Sequence, residues 1–549
     1  MKTIYFKIAF ISFSYLLLQG CGGSTNAYLK SKNPNITWMD KEAIKKKREL
    51  PTQYAYQDEN YIYCYGISSA KPVAIGVMGF STVIVPKAVP LFYQLDKKTF
   101  DIVKTSKSEK DEKYRSLFIR WTEKAGWIIF DDNKKNKIDE YKVRKISLDG
   151  LEPAKNLFRL EAEKSNSQFD DGFYFNSDST KLTYYSAEYI GKDDRVSFNV
   201  VCFDFLSMTK LWSHKYTFPH AVKRKKDVSG TNIMVNKNGE PHFLLKTYFE
   251  KRKEKKKDED GNIVANYNFR YYVLTAAGKV EEYKVDTKGD FIQSIAFPFQ
   301  NQYNPVIVAY TYKKNNFKEL KSIIFKRIDL ETKEITNLKE ITLDTKYLKI
   351  YDESGEKIKQ NKDFQDVSGL KVQSIKQSED GSIYVMGEEE ELVENCTTDS
   401  KGRTRCTYYW RSGNILVTKV SSDGKESWTK IIPKSQFINT AYSLTKTGDL
   451  SRCHGHKSMI IDNKLHLFFN DNAKNYNTKK ALTKINKFNG KNASLVHVII
   501  DGNGTYEMIE TLGPKDHPRI VDISSIENID SDNIFLFDYK SIGKLKIDR

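Results

Sequence analysis

The chain repeats one unit: a strand, a tight turn rich in Asp, Thr, Gly and Lys, and a second strand. Two clear copies read VVCFDFLSMTKLWSHKY (200–216) and ILVTKVSSDGKESWTKII (415–432), with Trp212 and Trp428 at equivalent positions after the turn. Two more strands precede most copies, as in VQSIKQSEDGSIYVMGEEE (372–390), where Asp-Gly suits a tight hairpin turn. Each repeat is therefore predicted to form four antiparallel strands.

A single four-stranded sheet cannot bury both of its faces, and this limits how such repeats can be arranged. Four-stranded sheets that recur six or more times are typical of a β-propeller, in which neighbouring sheets stack around an axis. Aromatic residues make up 13% of the chain and are mostly Tyr and Phe, which favour strands. We predict an all-β fold, a β-propeller of seven or eight four-stranded blades, with a pair of β-sandwiches as the alternative.

The unit resembles generic bacterial propeller repeats, in which the pattern DGxxxW closes a blade. The resemblance covers residues 60–549 and implies the fold, with little about activity. In the eight-blade count, three strands follow Val521 and an N-terminal strand such as NYIYCYG (60–66) completes the last blade. The most apolar internal stretch, 73–85, is predicted to be a buried strand.

The N-terminus has the pattern of a secretion signal. Lys2 and Lys7 provide positive charge before an apolar run at 8–18. This run is too short to cross a membrane as a helix, because a spanning helix needs about 20 apolar residues. We therefore predict an exported protein, with the signal peptide at 1–20.

The end of the signal, Leu18-Gln19-Gly20-Cys21, resembles the bacterial lipobox apart from Gln19. Resemblance to bacterial lipoproteins implies cleavage before Cys21, acylation of Cys21 and, because Gly22 is not Asp, sorting to the outer membrane. The implied location is the cell envelope, lipid-anchored and either periplasmic or surface-exposed. The alternative is an ordinary signal peptide followed by a chance cysteine.

Residues 21–59 are expected to hold the lipidated cysteine, a tether and one short helix before the propeller at 60–549. The helix is predicted for WMDKEAIKKKREL (38–50), because Thr37 or Asp40 can cap its start and Pro51 follows its end.

Six cysteines occur in the chain, and two of them lie across a polar loop, CTTDSKGRTRC. If two strands meet at this loop in an oxidising compartment, Cys396 and Cys406 can form a disulfide, and we predict that they do. The alternative is two exposed thiols. Cys64 and Cys202 lie in strand-like runs and are expected to be small buried residues.

Counting strands A to D outward from the axis puts the A–B and C–D turns on one face of the disc. The B–C loops and the links between blades then lie on the other face. That face carries most of the long insertions, and loops on a rigid scaffold are where binding usually occurs. The insertions are 104–113, 218–230, 251–264, 343–369, 393–405, 433–455 and 472–492.

The formal net charge is +18, and much of the basic charge falls in these insertions. Such runs are often only solvated loops, but they also suit an anionic envelope partner: lipopolysaccharide, an acidic polysaccharide or an acidic protein. A nucleic-acid partner is not expected for an exported chain without a recognition motif. The candidate ligand-binding residues are Lys223, Arg224, Lys225, Lys226, Arg452, His454 and His456.

The segment RCHGHK (452–457) carries Cys453, His454 and His456, which are ligand types for zinc or copper. The two histidines would point the same way in an extended segment. One short segment leaves a metal site incomplete, so we predict no metal and read the segment as the polar start of an inner strand.

No Gly-x-Ser-x-Gly, His-Glu-x-x-His, phosphate-loop or dinucleotide motif occurs in the sequence. We therefore predict no catalytic residue and no cofactor, and we expect a binding or scaffolding propeller. The alternative is a propeller enzyme that acts on polysaccharide as a lyase or hydrolase. At least two carboxylates, or a His with a Tyr, converging in a deep pocket at the mouth of the central channel would favour the enzyme, whereas a broad basic or aromatic surface without perturbed titratable groups would favour the binder.

Overall fold

We analysed a computed structural model of the 549-residue chain. The residues that the structure describes are 36–38, 51, 53–68, 73–77, 80–84, 89–107, 115–133, 138–149, 152–161, 166–190, 195–218, 228–248, 256–297, 304–313, 316–343, 370–439, 453–476, 485–490, 492–513, 520–530, 532–537 and 542–547. In this part of the chain no helix is long and apolar enough to cross a membrane.

Strands dominate the described residues, and most of them belong to antiparallel sheets of four. The first strand is β1 (Ile36–Trp38). Sheet 1 and an inserted hairpin comprise β2 (Gln53–Gln57), β3 (Tyr61–Ser68), β4 (Val73–Val77), β5 (Phe80–Ile84), β6 (Val89–Asp96) and β7 (Ile102–Lys107). Sheet 2 comprises β8 (Arg115–Trp121), β9 (Gly126–Asn133), β10 (Ile138–Lys145) and β11 (Lys155–Glu161). Sheet 3 comprises β12 (Asn166–Phe175), β13 (Lys181–Ile190), β14 (Arg195–Asp204) and β15 (Lys210–Thr217).

The middle of the chain continues the same pattern. Sheet 4 and a second inserted hairpin comprise β16 (Val228–Val235), β17 (Pro241–Tyr248), β18 (Lys256–Lys257), β19 (Ile263–Val264), β20 (Tyr267–Leu274) and β21 (Val280–Val285). Sheet 5 comprises β22 (Phe291–Ala296), β23 (Val306–Lys313), β24 (Asn316–Ile328) and β25 (Ile335–Thr342). Sheet 6 comprises β26 (Leu370–Gln377), β27 (Ile383–Thr398), β28 (Thr404–Val420) and β29 (Ser427–Ile432), with β30 (Gln436–Asn439) paired to β28.

The last two sheets follow. Sheet 7 comprises β31 (Lys457–Ile461), β32 (Lys464–Asn472), β33 (Ala493–Ile500) and β34 (Tyr506–Leu512). Sheet 8 comprises β35 (Glu527–Asp530), β36 (Asn533–Phe537), β37 (Ile542–Lys546) and the N-terminal strand β1. Among the described loop residues there are two short 3-10 helices, Ala473–Tyr476 and Ile523–Ser525.

The hydrophobic core is divided among the interfaces between consecutive sheets. Each of eight clusters of buried side chains is built from two neighbouring sheets, and one of them joins sheet 8 back to sheet 1 through Phe535 and Ile62. The sheets therefore close into a ring, in which each covers both of its faces with its neighbours. The predicted all-β propeller is confirmed, and the alternative of two β-sandwiches is wrong.

The first strand of each sheet lies innermost. The chain of contacts runs from β2 to β8, from β12 to β16, and from β22 through β26 to β31. Phe118 of β8 packs on Phe173 of β12 with ring centroids 5.7 Å apart, and Lys457 of β31 pairs with Glu527 of β35. These inner strands surround the axis, which we call the central channel.

The strand that completes the last sheet is not the one we predicted. Residues 61–68 form β3 inside sheet 1, whereas β1 pairs with β37, with Thr37 opposite Lys544. Both β1 and β2 precede residue 60, so the strands of the propeller begin before the predicted start of that domain. Trp38 lies in β1, and the rest of the predicted helix at 38–50 lies outside the described residues.

The apolar stretch at 73–85 is a hairpin and not one buried strand. Val73 pairs with Ile84 and Val77 with Phe80, so the chain reverses between them.

The two repeat tryptophans, Trp212 and Trp428, hold neighbouring sheets together. The indole nitrogen of Trp212 on β15 donates to the Asn238 carbonyl in sheet 4, at 3.3 Å. The indole nitrogen of Trp428 on β29 donates to the Gly502 carbonyl in sheet 7, at 2.9 Å. Each outer strand is thus tied to a turn of the next sheet.

Candidate functional site

The structure shows elaboration on the face that carries the B–C loops and the links between sheets, which we call the elaborated face. The hairpins β4–β5 and β18–β19 both lie between the second and third strands of their sheets. The long ends of β27 and β28, the added strand β30 and the 3-10 helix at Ala473–Tyr476 belong to the same face.

The largest described projection is the hairpin formed by the ends of β27 and β28. Its pairing continues from Glu390 opposite Ser412 as far as Thr398 opposite Thr404. The predicted disulfide between Cys396 and Cys406 is confirmed, with the two Cα atoms 4.0 Å apart on directly opposed residues.

Strand β30 stiffens the base of this projection. It pairs with β28 from Tyr409 to Ser412, and the ring of Phe437 stacks on Tyr409 with centroids 4.6 Å apart. The backbone of Phe437 also donates to the Phe488 carbonyl at 2.7 Å. We call the ends of β27 and β28 (390–412) together with β30 the platform.

A buried group of charges lies under the platform. Lys434 donates to one oxygen of the Glu388 carboxylate, and Nδ1 of His456 lies 2.5 Å from the other. All three side chains are at most 1% exposed. Burial alone would raise the pKa of Glu388, but Lys434 and His456 outweigh it and lower that pKa to about 2. Glu388 therefore remains a carboxylate, and its charge fixes the link that carries Lys434.

Amide side chains extend this group across to sheet 7. Gln436 accepts from Lys434 Nζ at 3.1 Å and from the Gly455 backbone at 2.8 Å, and it donates to the Asn470 carbonyl at 2.6 Å. Asn470 in turn donates to the carbonyls of Cys453 and Val521, at 2.9 and 2.8 Å. The link at 433–456 is thereby bonded to two sheets.

The two histidines from the sequence analysis lie in this region, but they do not share one direction. Gly455 between them has φ +77°, in the left-handed region, so the segment bends instead of extending. His456 binds Glu388, whereas His454 packs edge-on against Trp410 and lies 3.8 Å from Glu390.

A second buried carboxyl, Asp471, lies at the end of β32 with neutral partners. One oxygen accepts from the Tyr476 hydroxyl at 2.6 Å and from the Asn475 amide at 3.0 Å. Burial raises the pKa of Asp471 to about 6, because the hydrogen bonds from Tyr476 and Asn475 and the charge of Lys434 offset the loss of water only in part. Asp471 is therefore a group that can exchange a proton near neutral pH.

The central channel holds a further group of charges, which we call the channel cluster: Lys376, Lys457 and Glu527. Lys457 Nζ lies 2.7 Å from a Glu527 oxygen. Burial lowers the pKa of Lys376, the neighbouring Lys457 lowers it further, and Glu527 acts in the opposite direction. Glu527 also raises the pKa of Tyr65, which burial has already raised. These groups come from four different sheets.

Several candidates from the sequence lie outside the described residues: Cys21, Lys223, Arg224, Lys225, Lys226 and Arg452. Among the described residues, the only group of three possible metal ligands is Glu394, Cys396 and Cys406, and its two sulfurs are joined in the disulfide. A disulfide sulfur cannot act as a thiolate ligand, so this group cannot bind a metal as it stands.

Sequence reasoning missed Glu388, Lys434, Asp471 and the channel cluster. Each lies in or beside a strand. The partners of Glu388, Lys434 and the channel cluster are far away along the chain, whereas Asp471 is bonded to residues four and five positions further on. Only the mixture of apolar and charged residues within one strand, as in LKVQSIKQ of β26 with Lys376 next to Ile375, could have drawn attention to them.

No protein-family model and no curated protein matches this sequence. The fold has solved counterparts. The WD40 domain of SCAP from fission yeast is similar over 88% of this chain and 98% of its own, with 6% identity and a TM-score of 0.35. The polysaccharide lyase Uly1 is similar over 91% and 90%, with 9% identity and a TM-score of 0.38. The β-propeller domain of the Trilobed protease from Pyrococcus furiosus covers 85% and 98%, with 12% identity and a TM-score of 0.31.

These proteins are similar to the chain in fold alone. The class that the fold defines is the β-propeller, and its function has to be argued from the residues of this chain.

Proposed function

We propose that the protein is a binding or scaffolding β-propeller of the cell envelope, held at the outer membrane by acylated Cys21. It uses its elaborated face to bind an envelope protein or an anionic glycan. The lipid anchor rests on the lipobox pattern at 18–21, and the basic segment KRKK at 223–226 favours an anionic partner.

The observation that carries the binding role is the platform. A hairpin that projects from its sheet, is closed by a disulfide and is braced by β30 presents a surface of fixed shape. The buried contacts of Glu388 with Lys434 and His456 hold that surface in place. A preorganised surface loses little conformational entropy when a partner binds, which favours binding.

Binding of polygalacturonate, a chain of acidic sugars, to the purified protein tests the glycan arm. The variant K223E/R224E/K225E/K226E should bind about tenfold more weakly or worse, with the difference reduced at high salt. The matched control reverses four exposed lysines on the opposite face, Lys98, Lys210, Lys237 and Lys279, and should bind like the wild type.

Cross-linking in intact envelopes tests the protein arm, with a photoreactive residue placed at Tyr408 on the exposed part of the platform. A specific cross-linked partner would support scaffolding. If neither polygalacturonate nor a specific partner binds, the proposed function is wrong. Cys21→Ser should release the protein from the membrane fraction, and retention there would contradict the lipid anchor.

An enzyme that acts on polysaccharide is a second candidate, favoured by the pairing of Asp471 with Tyr476. A carboxyl with a pKa of about 6 next to a phenol can serve as general acid or base at neutral pH. New reducing ends or unsaturated sugar ends in acidic polysaccharides, lost in Asp471→Asn, would establish this candidate. Unchanged polysaccharide would count against it.

A further inference from the structure

The inner strands of sheets 6, 7 and 8 carry the three charged side chains of the channel cluster near the axis, and two of the three are positive. Lys376 lies on β26, Lys457 on β31 and Glu527 on β35. The inner strands β26 and β31 are also bonded side by side, since the hydroxyl oxygens of Ser374 and Ser458 lie 2.7 Å apart. Two ammonium groups therefore share one carboxylate in this sector of the channel.

Lys457 forms an ion pair with that carboxylate, which belongs to Glu527. Its Nζ lies 2.7 Å from Glu527 Oε1, which is the distance of a charge-assisted hydrogen bond. The side chain of Lys376 has no hydrogen bond or ion pair with any of the residues that the structure describes, whereas its backbone is paired with Tyr384. It is neither fully buried nor fully exposed, and its charge lies close enough to Lys457 to be repelled by it.

The charged form of a lysine in this position is destabilised, both by the loss of hydration and by repulsion from its like-charged neighbour. A bound anion would offset both, because it would supply hydrogen-bond acceptors and a negative charge for the two ammonium groups. Arg120, on the inner strand of sheet 2, adds a third cation whose charge acts on Tyr65 together with that of Glu527. Asp530, on the same strand as Glu527, is a second carboxylate near this part of the channel. Among these described groups, three positive charges therefore face two negative ones.

We propose that the central channel binds the carboxylate of an acidic sugar, with Lys376 as its main ligand and Lys457 as its second. Glu527 competes with the anion for Lys457 and so limits its affinity. This inference rests on the proposed binding of an anionic glycan. It assigns the terminal acidic sugar of the glycan to the channel and the other sugars of the glycan to the elaborated face.

Calorimetric titration with galacturonate and with oligogalacturonate tests the site, using neutral maltohexaose as the control sugar. Lys376→Met keeps an unbranched side chain of nearly the same length and removes its charge, and it should weaken the binding of galacturonate about tenfold. The matched control is Lys430→Met, an exposed lysine on the outer strand of the same sheet, which should bind like the wild type.

Glu527→Gln is the sharper variant, because it should change affinity in the opposite direction. Without its carboxylate, Lys457 is free to bind the anion, and galacturonate should bind several-fold more tightly. A structural role for the Lys457–Glu527 pair would instead lower the melting temperature and leave affinity unchanged. Melting curves of each variant show that the protein remains folded.

The inference is overturned if galacturonate does not bind, if Lys376→Met binds it normally, or if Glu527→Gln fails to tighten it. Tighter binding of inorganic phosphate than of galacturonate would also overturn the assignment to acidic sugars. Oligogalacturonate binding that survives Lys376→Met but is lost in K223E/R224E/K225E/K226E would keep the proposed function and refute the channel site. Galacturonate binding that depends on Lys376, without gain from the longer chain, would support the channel site and count against the role of the elaborated face.

Discussion

Two buried carboxyl groups, Glu388 and Asp471, show that the groups bonded to a carboxyl determine its pKa. Glu388 is bonded to an ammonium group and an imidazole, and its pKa falls to about 2. Asp471 is bonded to a phenol and an amide, and its pKa rises to about 6. Both are buried to a similar degree, so the difference comes from the charge of the bonded groups and not from the loss of water.

The raised pKa of Asp471 predicts a pH-dependent stability. An unfolded Asp titrates near pH 3.9, so between about pH 4 and 6 the folded state binds more protons than the unfolded state. Stability should therefore fall as pH rises through this window and stay lower above it. Asp471→Asn removes this dependence, so the stability of the wild type relative to the variant should drop by roughly 2–3 kcal/mol between pH 4 and pH 7.5. Urea denaturation at several pH values measures this.

Asp423→Asn is the control, because hydrogen bonds from Ser421 and Lys425 lower the pKa of that exposed carboxyl. Its effect should have the opposite sign and develop only in acid. The same pH slope in wild type and Asp471→Asn would show that Asp471 titrates normally.

At the scale of elements, the hairpin of β27 and β28 combines a local signal with a long-range one. The disulfide was predictable, because Cys396 and Cys406 flank a short polar loop that contains Gly402. The continuation of both strands beyond sheet 6 was not, since β30 arrives from a later segment and pairs with β28. The brace therefore depends on chain that no local pattern connects to the hairpin.

Loss of the disulfide should loosen this hairpin without unfolding the ring. In C396A/C406A we expect trypsin to cut the tip, near Lys401 and Arg403, about tenfold faster or more, because the cross-link no longer limits local opening. Timed proteolysis followed by mass spectrometry measures the rate.

The control for this experiment is T398A/T404A, which removes the 3.0 Å contact between two hydroxyl groups, two residue pairs nearer the tip than the disulfide. That variant should be cut at nearly the wild-type rate. Equal rates for C396A/C406A and the wild type would mean that the β30 brace alone holds the projection.

At the scale of the whole molecule, a three-residue strand completes the ring. Sheet 8 receives its fourth strand from β1, far from β37 along the sequence. Without β1, the edge of β37 would lose its backbone partners, and an open edge is also prone to aggregation. Because sheet 8 combines strands from both ends of the sequence, it depends on the first residues that the structure describes.

A chain that begins at residue 39 should melt about 2–5 °C below a chain that begins at residue 35, because the two differ by β1 and one flanking residue. Both lack Cys21, so the comparison does not depend on the proposed acylation of that residue. Differential scanning calorimetry makes the comparison. Equal melting temperatures would show that β1 contributes nothing to ring closure.

By itself, the sequence determined the class of fold and the cross-link at the hairpin tip. Strand alternation, turn residues and the Trp212 and Trp428 spacing are local properties, and repetition forces such sheets to cover one another. Only the tertiary structure decided that β1 completes sheet 8 and that Lys434 meets Glu388. Those contacts join residues whose separation along the chain leaves no trace in any local pattern, because they form only when the ring closes.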